Sequence, residues 1–127
     1  MGCRLILIRS MFPSCSFSVN FILLTFYRLF DVFLAFAVAR RWPDVASNAV
    51  SPGWVATKMG GAGAPGSMKK AWELPAWLAT HEREETGSGK YLAAQDGRGV
   101  HGKANDVGIQ DEFMKICEEI SGVKFPA

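Results

Sequence analysis

Asn48-Ala49-Val50-Ser51-Pro52-Gly53-Trp54-Val55-Ala56-Thr57-Lys58-Met59 is the stretch whose reading decides the fold of this chain. Residues 45–50 suit a short strand, and Pro52-Gly53 ends it, because proline has no amide to give to a ladder and glycine accepts a sharp turn. After the turn, the backbone amides, a carbonyl and the Thr57 hydroxyl gather at the carboxyl edge of the strand. Ligands bind at that edge in open α/β sheets. An ordinary β-turn with an exposed threonine fits the same letters equally well.

Upstream, residues 29–41 read as a helix with almost no polar face, ended by Pro43, with Arg40 and Arg41 suited to the negative end of its dipole. A helix apolar on all sides has to be buried in a core, in a subunit interface or in lipid. Downstream come a glycine-rich loop over 60–66, a helix over 69–80 despite Pro75, a polar turn over 82–88 and a strand over 90–94. A last helix over 109–121 would place Phe113, Ile116, Cys117 and Ile120 on one face, with Gly122 as its C-cap. The order α-β-α-β-α predicts an α/β layered fold.

Composition bounds the function. At 127 residues the chain is one domain at most, and its net charge of +2 is scattered, leaving no basic stripe for nucleic acid. Cys3, Cys15 and Cys117 are odd in number and widely spaced, so they read as free thiols in a reducing compartment such as the cytoplasm. Residues 1–28 differ from the rest: they carry Arg4, Arg9 and Arg28 but no acid. Residues 17–39 are apolar enough to suggest a membrane anchor, yet Arg28 and Asp31 fall near the middle, where each charge costs roughly 2.5–3.5 kcal/mol. A secretory signal meets the same interruptions.

Several motifs dissolve on inspection. Gly61-Ala62-Gly63-Ala64-Pro65-Gly66 spells G-x-G-x-x-G, but no strand leads into it and Pro65 sits inside it, so it reads as a flexible loop. Ser67 and Met68 stand where a P-loop needs Lys and Ser or Thr. His81-Glu82-Arg83-Glu84-Glu85 begins like a zinc-protease helix, but Glu85 takes the second histidine's place, so no metal site is expected. His101 reads as a loop residue.

The stretch over 48–59 is similar to the segment after the sixth strand of short-chain dehydrogenases/reductases. The flanks agree: an apolar helix before, a lid over 60–69, and Ser88-Gly89-Lys90-Tyr91-Leu92 matching the family's following strand. The resemblance implies the C-terminal part of a doubly wound, Rossmann-type parallel sheet over 29–127, preceded over 1–28 by an apolar leader foreign to the family, as if joined at a misplaced exon boundary. It implies an NAD- or NADP-dependent oxidoreductase acting on a small carbonyl or alcohol. Pro52 and Gly53 would form the turn beside the nicotinamide, the Val55 backbone would bond its carboxamide, and the Thr57 hydroxyl would reach the carboxamide or a phosphate.

The family's Tyr-x-x-x-Lys pair departs from the pattern here. Arg28 falls in the lysine position and Leu24 in the tyrosine position, while Tyr27 points off by about 100° on a helix. No catalytic residue is assigned, and the glycine-rich cofactor turn and active-site serine do not occur in the chain. The expectation is a truncated chain without turnover of its own. Two rival readings stand beside it: a small membrane-associated protein anchored by residues 17–39, and a non-catalytic module that self-associates through the helix over 29–39.

Overall fold

The structure, a computed structural model, describes residues 4–8, 19–58, 60–95 and 99–125, with side chains from Arg28 onward apart from that of Arg83. Strand β1 (Arg4–Ile8) leads to helix α1 (Val19–Arg41), strand β2 (Ala46–Ser51), helix α2 (Met68–Thr80) and the single-turn helix α3 (Arg83–Thr86). Strand β3 (Tyr91–Ala93), a 3₁₀ turn (Gly102–Asn105) and helix α4 (Val107–Ser121) complete the order. The strands form one sheet in the order β1-β2-β3, and both pairings are parallel. In register, Arg4 faces Ala46 and Ile8 faces Val50, while Ala49 faces Tyr91 and Ser51 faces Ala93.

Two of these elements correct the reading of the sequence. Only two strands are legible over 29–127, but Arg4–Ile8 supplies a third and makes β2 the central one. Three strands are about the least that hold a sheet together in water. The helix expected from Leu29 starts at Val19 and crosses position 28 without a break. Nothing between Val19 and Arg28 can stop a helix, since those residues contain neither Pro nor Gly.

β2 is buried from Ser47 through Ser51, as expected for a central parallel strand covered on both faces. α1 packs on it through Val32, Phe33, Ala35 and Phe36, which form one cluster with Ala49 and Ala104. Ala37 and Val38 are buried as well. α4 closes the cluster: Phe113 lies 5.1 Å from Phe30 in a stacked pair and 5.9 Å from Phe33, and Met114 is fully buried. Helix 29–39 is thus largely covered by its own chain, and Phe33, the natural centre of a self-association patch, is interior. Among the described residues no helix is long and apolar enough to cross a membrane; of the segment 17–39, residues 17 and 18 lie outside those described.

α4 also departs from the predicted face. Ile116 and Ile120 are exposed, and the inward positions are Ile109, Gln110, Phe113 and Met114. Helical periodicity permits several stripes on so mixed a sequence, and α1 selects the one with Met114. The helix ends are as read: the Asp106 carboxylate accepts from the Ile109 amide at 3.2 Å, and Gly122 caps with φ +70°. Arg40 and Arg41 do more than face the helix dipole, for both reach Asp111 of α4, at 2.6 and 3.3 Å. Hydrogen bonding to Arg40 is the main reason the Asp111 carboxyl titrates below its ordinary range.

Candidate functional site at the carboxyl end of β2

β3 is pinned to β2 by side chains as well as by the ladder. Asn48 is buried, donates to the Gly87 carbonyl at 3.0 Å and accepts from the Lys90 amide at 2.9 Å. The Ser88 hydroxyl accepts from the Ser47 amide at 3.0 Å. A buried amide satisfied at both ends fixes register, because slipping by one residue would leave it unpaired. The Ser-Asn and Ser-Gly dipeptides therefore set where β2 ends, and so where the Pro52-Gly53 turn projects.

Gly53 sits at φ +81°, a conformation that side chains resist, and a Cβ there would lie 3.3 Å from the Cβ of Gln95. Past the turn, Val55 is buried at 2% exposure and forms an isolated parallel bridge with Gly66. The bridge runs through the Trp54 carbonyl, which accepts from the Gly66 amide at 2.9 Å, so Val55 turns its own N–H and C=O to the other side. There the carbonyl is packed against Gly60, whose Cα has no room for a Cβ. The Val55 amide has no hydrogen-bond partner among the described residues.

Thr57 builds the next turn. Its hydroxyl accepts from the Gly60 amide at 2.9 Å and its carbonyl from the Gly61 amide at 2.9 Å. A hydroxyl used as an acceptor still has its proton to donate, so Thr57 can serve the loop and a ligand together. The Trp54 indole donates to the Gly60 carbonyl at 2.8 Å. Residues 60–67 are thereby bent back over the turn before α2 starts at Met68.

The structure brings Pro52, Gly53, Val55 and Thr57 together at the carboxyl end of the central strand, and it adds two residues that sequence reading passed over. One is Trp54, which an exposed position alone does not distinguish. The other is Gln95, just beyond β3: its Nε2 donates to the Pro52 carbonyl at 2.9 Å and the Ser67 carbonyl at 3.0 Å, and its Oε1 accepts from the Ser67 amide. A lone glutamine 43 residues away carries no sequence signal for such a contact.

Of the glycines at 61–66, Gly63 lies in a turn, Gly61 has φ +77° and Gly66 bridges Val55, all ten or more residues past the end of β2. His81 caps α2 against Trp77, and His101 starts the 3₁₀ turn by accepting from the Lys103 amide. Among the described residues no cluster of three metal-ligating side chains occurs. A shallow hollow of about 510 Å³ opens elsewhere, between β3 and Phe36, Val100 and Asn105, and none of the residues at the Pro52 turn lines it.

A small parallel sheet with helical crossovers matches part of a Rossmann-like α/β architecture. Comparison with curated proteins sharpens this. The chain is 37% identical over 102 residues to an uncharacterized oxidoreductase of Emericella nidulans, covering 78% of this chain and 40% of that protein. It is 36% identical over 97 residues to the short-chain dehydrogenase chry4 of Gibberella zeae and 35% identical over 95 residues to the short-chain dehydrogenase chyC of Penicillium rubens. These matches cover 76% and 74% of this chain, and 38% and 37% of the two relatives. By these relatives, the chain carries the C-terminal part of a short-chain dehydrogenase/reductase. It spans about two-fifths of the length of the curated relatives it matches. No family model and no solved structure matches it at a significant level.

Proposed function

We propose that this chain supplies the nicotinamide-facing turn and the substrate lid of an NAD(P)-dependent oxidoreductase that interconverts a small carbonyl compound and an alcohol. The observation that carries the reading is the pair of donors at the carboxyl end of β2, the Val55 amide, which meets no acceptor among the described residues, and the proton of the Thr57 hydroxyl. The names and identities of the fungal relatives support it. The fit is narrower than the family resemblance implies, because the Val55 carbonyl is turned onto Gly60 and leaves its amide as the backbone contact.

A bound NAD(P) would supply or accept the hydride. The residues of this chain would bind and orient it: Val55 through its amide to the carboxamide oxygen, Thr57 through its hydroxyl to a carbonyl or phosphate oxygen. Pro52 and Gly53 would fix the height of both above the strand end. Residues 60–67 would shield the site from water, which strengthens every polar contact inside it. Proton transfer needs a group this set does not include, since Arg28 and Leu24 stand where the family's Lys and Tyr are expected. Hence the 127 residues alone are expected to bind the cofactor weakly and not to turn over.

Titration of NADH and NADPH against the purified chain, followed by nicotinamide fluorescence, tests the binding. Binding that weakens several-fold in Thr57→Val, with the fold intact, supports the reading; identical titrations of both proteins, or none at all, would end it. Robust hydride transfer by the chain alone would overturn the statement about turnover. A cytoplasmic location belongs to the same reading, and release of the chain by alkaline carbonate extraction checks it against membrane anchoring.

A further inference from the structure

Gln95 holds three backbone groups with one side chain. Its amide pairs with both the N–H and the C=O of Ser67, as a neighbouring strand residue would, and the same Nε2 donates to the Pro52 carbonyl. The orientation of the amide is fixed by this set, because exchanging N and O would face two donors with one another and an oxygen with two carbonyls. It joins the two ends of the segment between β2 and α2: Pro52 directly follows β2, and Ser67 is the N-cap position of α2, where the loop over 60–66 finishes. The space around it is reserved. A Cβ on Gly53 would come within 3.3 Å of the Gln95 Cβ, and one on Gly66 within 3.2 Å of its Oε1.

We infer that Gln95 is a positioning residue, a latch that makes the Pro52–Thr57 turn and the exit of the 60–67 loop move as one body. Ser67 has no side-chain cap bond of its own, so Gln95 is what orders the start of α2. The loop is tied at four further points, Trp54 to Gly60, Trp54 to Gly66, Thr57 to Gly60 and Thr57 to Gly61, all of which lead back to the same turn. Releasing Gln95 removes both bonds to Ser67 and frees the Pro52 carbonyl at one stroke, leaving the far end of the loop held through Gly66 to Trp54. Naming the two loops a cofactor turn and a lid rests on the proposed function; their mechanical coupling does not.

The test is residue-resolved amide hydrogen exchange on the full chain, wild type against Gln95→Met and Gln95→Glu. In Gln95→Met, exchange at Ser67, Gly66 and Gly60 should accelerate together by about ten-fold, the loss expected for one to two net hydrogen bonds, while Phe113 and Met114 in α4 stay protected. Unchanged exchange at Ser67 overturns the latch. Acceleration at Ser67 without Gly60 overturns the coupling.

Gln95→Glu guards against a merely destabilised variant. At pH 7 its carboxylate faces the Pro52 and Ser67 carbonyls and should release the loop. Below about pH 4.3 the protonated acid regains a donor, so protection at Gly60 and Ser67 should rise relative to Gln95→Met at the same pH. Equal protection in the two variants at low pH overturns the proposal even if the core is loosened. An NADH titration separates the two readings, for failure of the wild type to bind NADH removes the proposed function and leaves the exchange result standing.

Discussion

The α1–β2–α4 block and the 52–67 turn that follows Ser51 are held together by different physics. The block is apolar contact: Val32, Phe33, Phe36, Ala49, Phe113 and Met114 exclude water, and its polar ties, Arg40 and Arg41 to Asp111, are half exposed. The turn is hydrogen bonds between side chains and backbone, with Val55 as its buried apolar anchor. Contact by area is forgiving of direction but resists opening. Directional bonds at a half-exposed site open cheaply and reclose in one geometry, which is what a ligand-binding turn needs.

Phe33→Ala should have the largest effect, removing about 3–5 kcal/mol from global stability as read by urea unfolding. If it costs under 1 kcal/mol, the block is not the core of this chain. Gly53→Ala comes next. It forces a side chain into φ +81° and toward Gln95, and should cost about 1–2 kcal/mol. The distinguishing expectation is that this loss accompanies faster exchange at Ser67, where Phe33→Ala acts on the whole chain.

Asp106→Ala removes the side-chain cap of α4 and should cost about 1 kcal/mol, lowering the midpoint of unfolding without changing nucleotide titration. Trp54→Phe deletes the donor to Gly60 while keeping an aromatic ring. A loss of about 0.5–1 kcal/mol confined to exchange at Gly60 and Gly61 would sharpen the contrast between regions, whereas a global loss would blur it.

The smallest effect belongs to Asp111. Its carboxyl is held below the ordinary value of 3.8 chiefly by Arg40, so the paired form adds stability that is complete above that value. The contribution disappears as pH falls from 3.8 through the lowered folded-state value. Because both partners are more than a third exposed, screening leaves roughly 0.5 kcal/mol or less. Asp111→Asn should accordingly change unfolding little at pH 7 and remove this component of the acid dependence.

The family was legible because its residues are local. Pro52-Gly53 has to turn, Pro43 has to stop α1, and Gly122 suits the end of α4, each through its own backbone preference. The G-x-G-x-x-G spelling over 61–66 was readable as a loop for the same reason, since no strand leads directly into it. What the sequence did not reveal depends on partners brought from afar. Arg4–Ile8 becomes a strand only because β2 offers an edge, and Ile120, apolar and in phase, stays outside because α1 covers the stripe that contains Met114.

Over residues 29–127 the sequence by itself determined the main helices and strands, their order and the turn at Pro52, because dihedral preferences and periodicity act within a few residues. Tertiary structure alone decided that β2 is central, that the Val55 carbonyl packs on Gly60, and that Gln95 reaches both Pro52 and Ser67. Hydrogen bonds between residues 28 to 43 positions apart have no counterpart in local preference. They exist only once the sheet has set the distance between the ends of β2 and β3.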